Sequence, residues 1–157
     1  MDRLLPPDES NDFHQAHVLL LLKSYQRLLQ QSLLETSEQS AWGRLAFTAN
    51  FALLSHNTDQ DPLFNYANRT ALDLFEFSWD ELIGLPSRLS AEPVNQQERE
   101  RLLAKVTTQG FIDDYAGVRI SKTGRRFRIQ GAVVWNVIDE QGVYRGQAAW
   151  FKDWTWL

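Results

Sequence analysis

The sequence predicts an α+β fold: a five-stranded antiparallel sheet with helices on one face, preceded by an N-terminal amphipathic helix. Three patterns support this prediction. Apolar residues recur with a helical period over residues 13–35, two short strand-like segments follow within residues 51–66, and from residue 111 onward apolar and polar residues alternate in three runs. At 157 residues, the chain has the size of one ordinary domain.

The N-terminal segment is predicted to be a helix over residues 13–35, after a disordered lead that is polar and contains two prolines. One stripe of this helix is apolar at i, i+3, i+4 and i+7 spacing: Val18, Leu21, Leu22, Tyr25, Leu28, Leu29 and Leu33. Leu19 and Leu20 fall outside the stripe, so the helix either packs only on its own domain or also pairs with a second subunit. The second interpretation predicts a homodimer. The predicted organisation is a lead at 1–12, a helix and polar connector at 13–41 and a domain at 42–157.

The middle of the sequence carries strand signals and then three helix-terminus signals. Residues 51–57 and the alternation over 64–66 predict the first two strands. Asn68 can cap a following helix with its side chain. Residues 78–81 (SWDE) fit the S-x-x-E capping box of a second short helix, and Gly84 suits the end of that helix.

The next helix is predicted to run from an Asn95 cap to Gln109, followed by Gly110. Turns at 121–124 and 139–142 then divide a three-stranded meander. Strict alternation directs one set of meander residues toward the middle helices: Ile129, Gly131, Val133, Trp135, Gly146, Ala148 and Trp150. The opposite face is half apolar, and we expect the N-terminal helix to cover that half.

Composition limits the classes of partner and chemistry. The net charge of −4 gives no electrostatic reason to expect nucleic acid or an anionic membrane as a partner. The absence of cysteine excludes disulfides, thiolate metal sites and cysteine nucleophiles. The apolar run at residues 18–22 is far shorter than the ~20 residues that span a bilayer. No targeting segment is visible, so we expect a cytoplasmic protein.

Four phrases of the sequence resemble the MEKHLA domain family: residues 55–58 (SHNT), 61–68 (DPLFNYAN), 86–92 (PSRLSAE) and 117–121 (GVRIS). The resemblance covers roughly residues 14–153. That family is related to PAS sensor domains, whose strand–helix–meander order this chain shares. It occurs in small bacterial proteins and at the C-terminus of some plant homeodomain–zipper transcription factors. Since this sequence shows no homeodomain and no zipper, the resemblance implies a PAS-like fold with a sensing or protein-interaction role.

The resemblance leaves the cofactor unknown. PAS-like folds often hold a flavin, a haem or a small organic molecule between the sheet and the middle helices. Without cysteine the chain cannot form the flavin adduct of photoreactive relatives, whereas flavin binding without that adduct stays open. His56 is the best-placed axial ligand for a haem, and its alternative role is a structural bond to the turn at 59–61. His14 and His17 are expected to be solvated, and without a third ligand at fixed spacing they predict no metal site.

The predicted binding site is a small, mostly apolar pocket between the sheet and the helices at 68–85 and 95–109. Small side chains in mid-strand would leave this space open. The alternative is that Trp and Phe rings from the helices fill it, as close-packed interiors favour. Arg88 and Arg119 both fall within family-like phrases and are candidates to contact an anion there. The predicted ligand-binding residues are His56, Tyr66, Arg119, Trp135 and Trp150.

Two functions of different classes follow from these patterns. The first is a non-catalytic sensory or protein-interaction module that binds a small apolar ligand and signals to a separate protein partner. The second is a small enzyme that uses the concave sheet as a reaction pocket. His56 and Tyr66 would be its best catalytic candidates, although neither has an evident partner in the sequence. We expect the first function and assign no catalytic residue.

Overall fold

The structure, a computed structural model, describes residues 4–157 and is built on one antiparallel sheet. Its strands lie in the order β2-β1-β5-β4-β3, and a sixth short strand pairs with β4 beyond the end of β5. The strands are β1 (Ala52–His56), β2 (Phe64–Ala67), β3 (Phe111–Ile120), β4 (Arg126–Ile138), β5 (Tyr144–Phe151) and β6 (Asp153–Trp156). The predicted fold class is confirmed, and β6 is an addition that the sequence patterns do not predict.

Helices connect and cover the strands. The α-helices of the described residues are α1 (Gln15–Leu29), α2 (Trp42–Phe47), α3 (Arg69–Phe75), α4 (Trp79–Leu82) and α5 (Pro93–Gln109). Three 3-10 segments lie at Glu9–His14, Gln39–Ala41 and Ser87–Ser90. Within residues 4–157, no helix is both long enough and apolar enough to cross a membrane.

Two predicted helix boundaries are wrong. The N-terminal helix ends at Leu29, because Gln30 adopts a left-handed conformation with φ 59° and its N–H closes the last turn on the carbonyl of Gln26. The last helix begins at Pro93 and not at an Asn95 cap. Proline suits a first helical position because its fixed φ is helical and its missing N–H would have no partner there.

Residues that overlap the predicted disordered lead contact the rest of the protein. The indole N–H of Trp79 donates to the carbonyl of Leu4 at 3.1 Å. Nε2 of His14 lies 2.7 Å from the carbonyl oxygen of Leu5. Residues 1–3 of that lead lie outside the described residues.

Helices cover both faces of the sheet. On one face lies α1, where the indole N–H of Trp135 donates to the carbonyl of Leu21 at 3.1 Å and the Tyr25 ring meets the Trp135 ring edge-on at 5.0 Å. On the other face lies α3, where Phe75 meets Phe127 edge-on at 5.1 Å. The longer helix α5 adds a further cluster on that second face: Leu102, Val106 and Val134. Because α1 buries its apolar stripe against β4, it shares a hydrophobic core with the sheet.

A β-bulge at Gly131 reverses the alternation of side chains along β4. Ile129 pairs with Gly117 and Ala132 pairs with Tyr115, so three steps along β4 oppose two steps along β3. Gly131 has φ 63°, a conformation that glycine adopts without steric cost. Beyond the bulge, two residues expected to face the middle helices pack in the same core as α1 instead, Val133 and Trp135.

The prediction of which helices cover which face of the sheet is therefore wrong. The half-apolar face of the sheet, which the N-terminal helix was expected to cover, is covered by α3 and α5. The apolar residues on this face are Ala132, Val134, Ala149 and Phe151. For Ala132 and Val134 the physical reason is the extra residue of the bulge in β4, since a shift of one residue moves the following side chains of that strand to the other face. Ala149 of β5 lies opposite Val134 and so shares its face.

The local signals in the middle segment are confirmed. The hydroxyl of Ser78 accepts from the N–H of Glu81, and the Glu81 carboxylate accepts from the N–H of Ser78, which completes the capping box of α4. Gly84 follows α4 with φ 89°. Asn68 caps α3 by accepting a hydrogen bond from the N–H of Ala71 at 3.0 Å.

Asn68 does more than cap a helix. Its side chain is fully buried, and its amide group forms four hydrogen bonds. The oxygen accepts from the N–H groups of Leu53 and Ala71, both at 3.0 Å. The nitrogen donates to the carbonyls of Ala46 at 3.0 Å and Phe51 at 2.7 Å. One side chain thus joins α2, the start of β1 and α3.

We expect Asn68→Ala to lower the free energy of unfolding by about 3 kcal/mol or more, because four backbone groups would lose their partners. Urea unfolding followed by tryptophan fluorescence measures this loss. Asn95→Ala is the matched control, since Asn95 lies inside α5 and not at its cap, and should change stability by less than about 0.5 kcal/mol. Equal losses at the two positions would contradict the prediction.

Candidate functional site

A cavity of about 90 Å³ lies between the sheet and the helices α3 and α5, on the face opposite α1. Its apolar wall consists of Leu54, Phe64, Phe75, Leu102, Leu103, Ile129, Ala132, Val134, Ala148, Ala149 and Phe151. Ala132 and Ala149 contribute side chains that end at Cβ, so they leave space that larger residues would fill. The space predicted between the sheet and the middle helices is therefore open, although only some of the residues predicted to enclose it line the cavity.

A network of buried polar side chains borders this cavity. The guanidinium of Arg99 donates to Oγ of Ser87, which lies 3.0 Å from Nδ1 of His56. Nε2 of His56 lies 3.2 Å from Oε1 of Gln147. Because an amide oxygen can only accept, we assign the imidazole proton to Nε2, and Nδ1 then accepts from the Ser87 hydroxyl. The hydrogen bonds thus run in one direction from Arg99 to Gln147.

The network continues from Gln147 into α5 and β4. The Gln147 side-chain nitrogen donates to the carbonyl of Leu103 and to Oδ1 of Asn136, both at 3.1 Å. Nδ2 of Asn136 donates to the carbonyl of Val106 at 2.9 Å. We call Arg99, Ser87, His56, Gln147 and Asn136 the polar network; it links the cavity to the packing of α5 on the sheet.

His56 is held neutral in this network. Burial lowers the pKa of His56 to about 4, and the positive charge of Arg99 acts in the same direction. The strand next to His56 approaches closely at Gly146, where a Cβ atom would lie 1.9 Å from the carbonyl oxygen of His56. His56 does not bond the turn at 59–61, so the alternative structural role predicted for it is replaced by bonds to Ser87 and Gln147.

Two buried arginines face the cavity, Arg99 and Arg119, and each is only 7% exposed. Arg119 donates to the carbonyl of Val118 at 2.9 Å and to the hydroxyl of Tyr115 at 3.1 Å. Within residues 4–157, neither guanidinium forms an ion pair with Asp or Glu. Burial lowers the pKa of Arg99 to about 10, and the charge of Arg119 adds to this effect. The cavity therefore contains two like charges in an apolar setting.

The structure divides the five predicted ligand-binding residues between the two faces of the sheet. His56 and Arg119 line the cavity. The other three pack on the α1 face and do not line it: Tyr66, Trp135 and Trp150. Their predicted placement in the cavity wall is therefore wrong. For Trp135 the physical reason is the bulge in β4. Trp150 shares the α1 face with its strand partners Leu53 and Val133, and Tyr66 occupies a β2 position that faces α1. Since His56 and Tyr66 lie on opposite faces, they cannot act together on one substrate.

Three groups on the α1 face have surroundings that the sequence did not predict. His17 is half-buried and not solvated, with Nε2 3.0 Å from Oγ of Ser55 and its ring 5.7 Å from that of Tyr66. Burial, assisted by the charge of His14, lowers the pKa of His17 to about 4. Among the described residues, the Tyr66 hydroxyl and the indole N–H of Trp150 are buried without a hydrogen-bond partner.

Sequence reasoning missed most of the polar residues at the cavity. Arg99 had a readable signal, because it lies three and seven residues before Leu102 and Val106 and so shares their inward stripe on α5. Ser87 and Gln147 carry no comparable signal. Arg88, the other candidate for anion contact, pairs with Asp61 at 3.2 Å and does not line the cavity.

The larger cofactors that the family resemblance suggests do not fit into the cavity. Its volume of about 90 Å³ is well below the roughly 300–1,000 Å³ of pockets that hold drug-sized ligands, so a three-ring flavin or a haem has no room. Both ring nitrogens of His56 are engaged in hydrogen bonds, so neither is free as an axial ligand. Within residues 4–157, no group of three or more His, Asp or Glu side chains is arranged to hold a metal ion.

We expect the buried neutral state of His56 to make stability depend on pH. The unfolded chain protonates this histidine near its ordinary pKa of 6.5, whereas the folded protein resists protonation until about pH 4. The contribution of His56 is therefore complete above pH 6.5 and is lost as the pH falls toward 4, by up to roughly 3 kcal/mol. Urea unfolding of the wild type and His56→Gln at several pH values measures the difference. A difference that stays constant across this range would contradict the assignment.

Comparisons with known proteins identify relatives of the sequence. Residues 15–156 match the model of the MEKHLA domain. The homeobox-leucine zipper protein ATHB-14 of Arabidopsis thaliana is 28% identical over 106 residues, which cover 66% of this chain and 12% of the plant protein. The chain spans between 10% and 17% of the length of the curated plant relatives it matches.

Solved structures with little sequence identity share the fold. A PAS domain from Colwellia psychrerythraea superposes with a TM-score of 0.61 at 15% identity, covering 70% of this chain and 91% of that domain. An RNA-binding light-oxygen-voltage receptor superposes with a TM-score of 0.60 at 17% identity, covering 77% of this chain and 35% of the receptor. These structures show that the fold is PAS-like, and the family match, which extends over α1 and the entire sheet, shows that this chain belongs to the MEKHLA domain family.

Proposed function

We propose that the chain is a non-catalytic, cytoplasmic PAS-like sensory module that binds a small organic molecule in the cavity and signals to a separate protein partner. The observation that carries this proposal is the open space between the sheet and α5, which is apolar on most of its surface and bordered by buried polar groups. Ligand sites generally combine an apolar wall with a few convergent polar groups. The membership in a PAS-related family supports the same function.

Through the polar network, a change in hydrogen bonding at the ligand would reach the protein surface. A ligand that contacts Arg99 or Ser87 would alter the hydrogen bonds to His56 and Gln147, and Gln147 binds the backbone of α5. A change at the cavity would then shift α5 against the sheet. Such a shift changes the outer surface of α5, where a partner could detect it.

The role of the plant relatives is not carried over. Their names describe proteins with a homeobox and a leucine zipper, and this chain spans only 10% to 17% of their length. The net charge of −4 supports a partner other than nucleic acid.

The homodimer stays a prediction and forms part of this proposal. Leu19 and Leu20, which motivated it, are half-buried against the core of the same protomer. The exposed Val94 and Leu157 offer apolar surface elsewhere on the protein. Light scattering at micromolar concentration measures the subunit count, and a monomer mass would remove the homodimer from the proposal.

We expect filling of the cavity to abolish ligand binding. Ala149→Leu places a larger side chain in the cavity wall, whereas Gln130→Leu adds the same side chain at an exposed position of the same sheet. The probes are butanoate, butanamide and butan-1-ol, and amide NMR shifts of Ala132 and Val134 report binding. At least one probe should shift these signals in the wild type and in Gln130→Leu, and none should do so in Ala149→Leu.

Two results would contradict the proposed function. One is that no probe shifts the cavity signals of the folded wild type. The other is that Ala149→Leu binds the probes as the wild type does, which would place their site elsewhere. The indole signal of Trp135 on the other face serves as the internal reference, because it does not line the cavity.

A further inference from the structure

We infer that the cavity is selective for a small organic acid, whose carboxylate lies between Arg99 and Arg119 and whose apolar body packs against the alanines of β4 and β5. This inference rests on the proposed function, because it names the class of ligand for the same site.

The first argument is the lack of a counter-charge. Arg99 and Arg119 are each 7% exposed, and buried charges in proteins are almost always paired. The side-chain bond of Arg99 goes to the hydroxyl of Ser87. The side-chain bonds of Arg119 go to a backbone carbonyl and to the hydroxyl of Tyr115. All of these acceptors are neutral, and each guanidinium has five N–H donors, so within residues 4–157 most of these donors have no hydrogen-bond acceptor.

The second argument is that the nearby carboxylates are engaged elsewhere. Glu98 is exposed and accepts from the hydroxyl of Tyr115 at 2.9 and 3.0 Å. Asp61 pairs with Arg88 at 3.2 Å. Glu100 is exposed on α5. None of them forms an ion pair with the two arginines, so the repulsion between Arg99 and Arg119 is only partly offset from outside the cavity.

The third argument concerns the form of the anion. A carboxylate matches the planar guanidinium with two parallel hydrogen bonds, and an anion between two guanidinium groups relieves the repulsion of both. The apolar part of the wall includes Ala132, Val134 and Ala149, which have no polar side-chain atoms to receive a charged group, and the other polar side chains of the lining carry no second positive pair. The volume of about 90 Å³ limits the body to a short chain. A short aliphatic monocarboxylate meets all three conditions.

The test compares butanoate with butanamide, which has the same number of heavy atoms and no charge. Dissociation constants are measured at pH 7 in low-chloride buffer from the NMR shifts of Ala132 and Val134. In the wild type, butanoate should bind roughly tenfold or more tightly than butanamide. Arg99→Gln and Arg119→Gln should each remove most of this preference, whereas Arg119→Lys, which keeps the charge, should retain part of it.

The control variant is Arg88→Gln, because Arg88 is an exposed arginine outside the cavity wall and pairs with Asp61. It should leave the preference for butanoate unchanged. If one glutamine variant fails to fold, the other variant and Arg119→Lys still report on the pair. Inorganic phosphate is a second probe. We expect it to compete poorly with butanoate because it lacks an apolar body.

The outcomes separate this inference from the proposed function. Equal affinity for butanoate and butanamide in the wild type would overturn the inference and leave the proposed function standing. A preference for butanoate that survives in both glutamine variants would also overturn it. If phosphate competes as strongly as butanoate, the apolar body does not contribute to binding, and that part of the inference would be overturned. Binding of butan-1-ol alone would overturn the inference and leave the proposed function standing. If none of butanoate, butanamide and butan-1-ol binds the wild type, both the inference and the proposed function fall.

Discussion

The buried side chain of Asn68 is the interaction on which the architecture depends. It satisfies two N–H groups and two carbonyls that would otherwise be buried without partners, and these groups belong to α2, β1 and α3. An unmade buried hydrogen bond costs more than a made one contributes, so this amide constrains the three elements to one arrangement. Strand β1 is thereby fixed between β2 and β5, where it carries Leu53 to one face and His56 to the other.

The sheet separates two cores with different chemistry. On the α1 face, large aromatic rings pack edge-on against one another, as Tyr25 does on Trp135 and Tyr66 does on Trp79. On the α5 face, Ala132 and Ala149 leave the cavity open. Protein interiors otherwise fill such space, so the two alanines within a wall of larger side chains are the structural basis of the candidate site.

The polar network and the two buried arginines give the cavity its chemical character. Burying this many polar groups is costly unless each is paired, and most members of the network are paired with one another or with the backbone of α5. The guanidinium groups of Arg99 and Arg119 are the exception, because their charges have no partner of opposite sign among the residues that line the cavity. The cavity thus contains two buried positive charges without a lining residue of opposite charge.

The sequence by itself determined the features that depend on neighbouring residues. The Asn68 cap, the capping box of Ser78 and Glu81 and the alternating strands were readable because each involves contacts within a few residues. The left-handed conformation that ends the first helix at Gln30 leaves no mark in the sequence, whereas the start at Pro93 was readable from the preference of proline for a first helical position.

Only the tertiary structure decided which side chains enclose the cavity. One extra residue at Gly131 moved Trp135 to the α1 face, although the alternation of apolar residues in β4 gives no sign of it. The bond between His56 and Gln147 joins residues 91 positions apart, and that between Ser87 and Arg99 joins a loop to a helix. Such pairings arise from how strands and helices are brought together in space, and local sequence patterns carry no information about them.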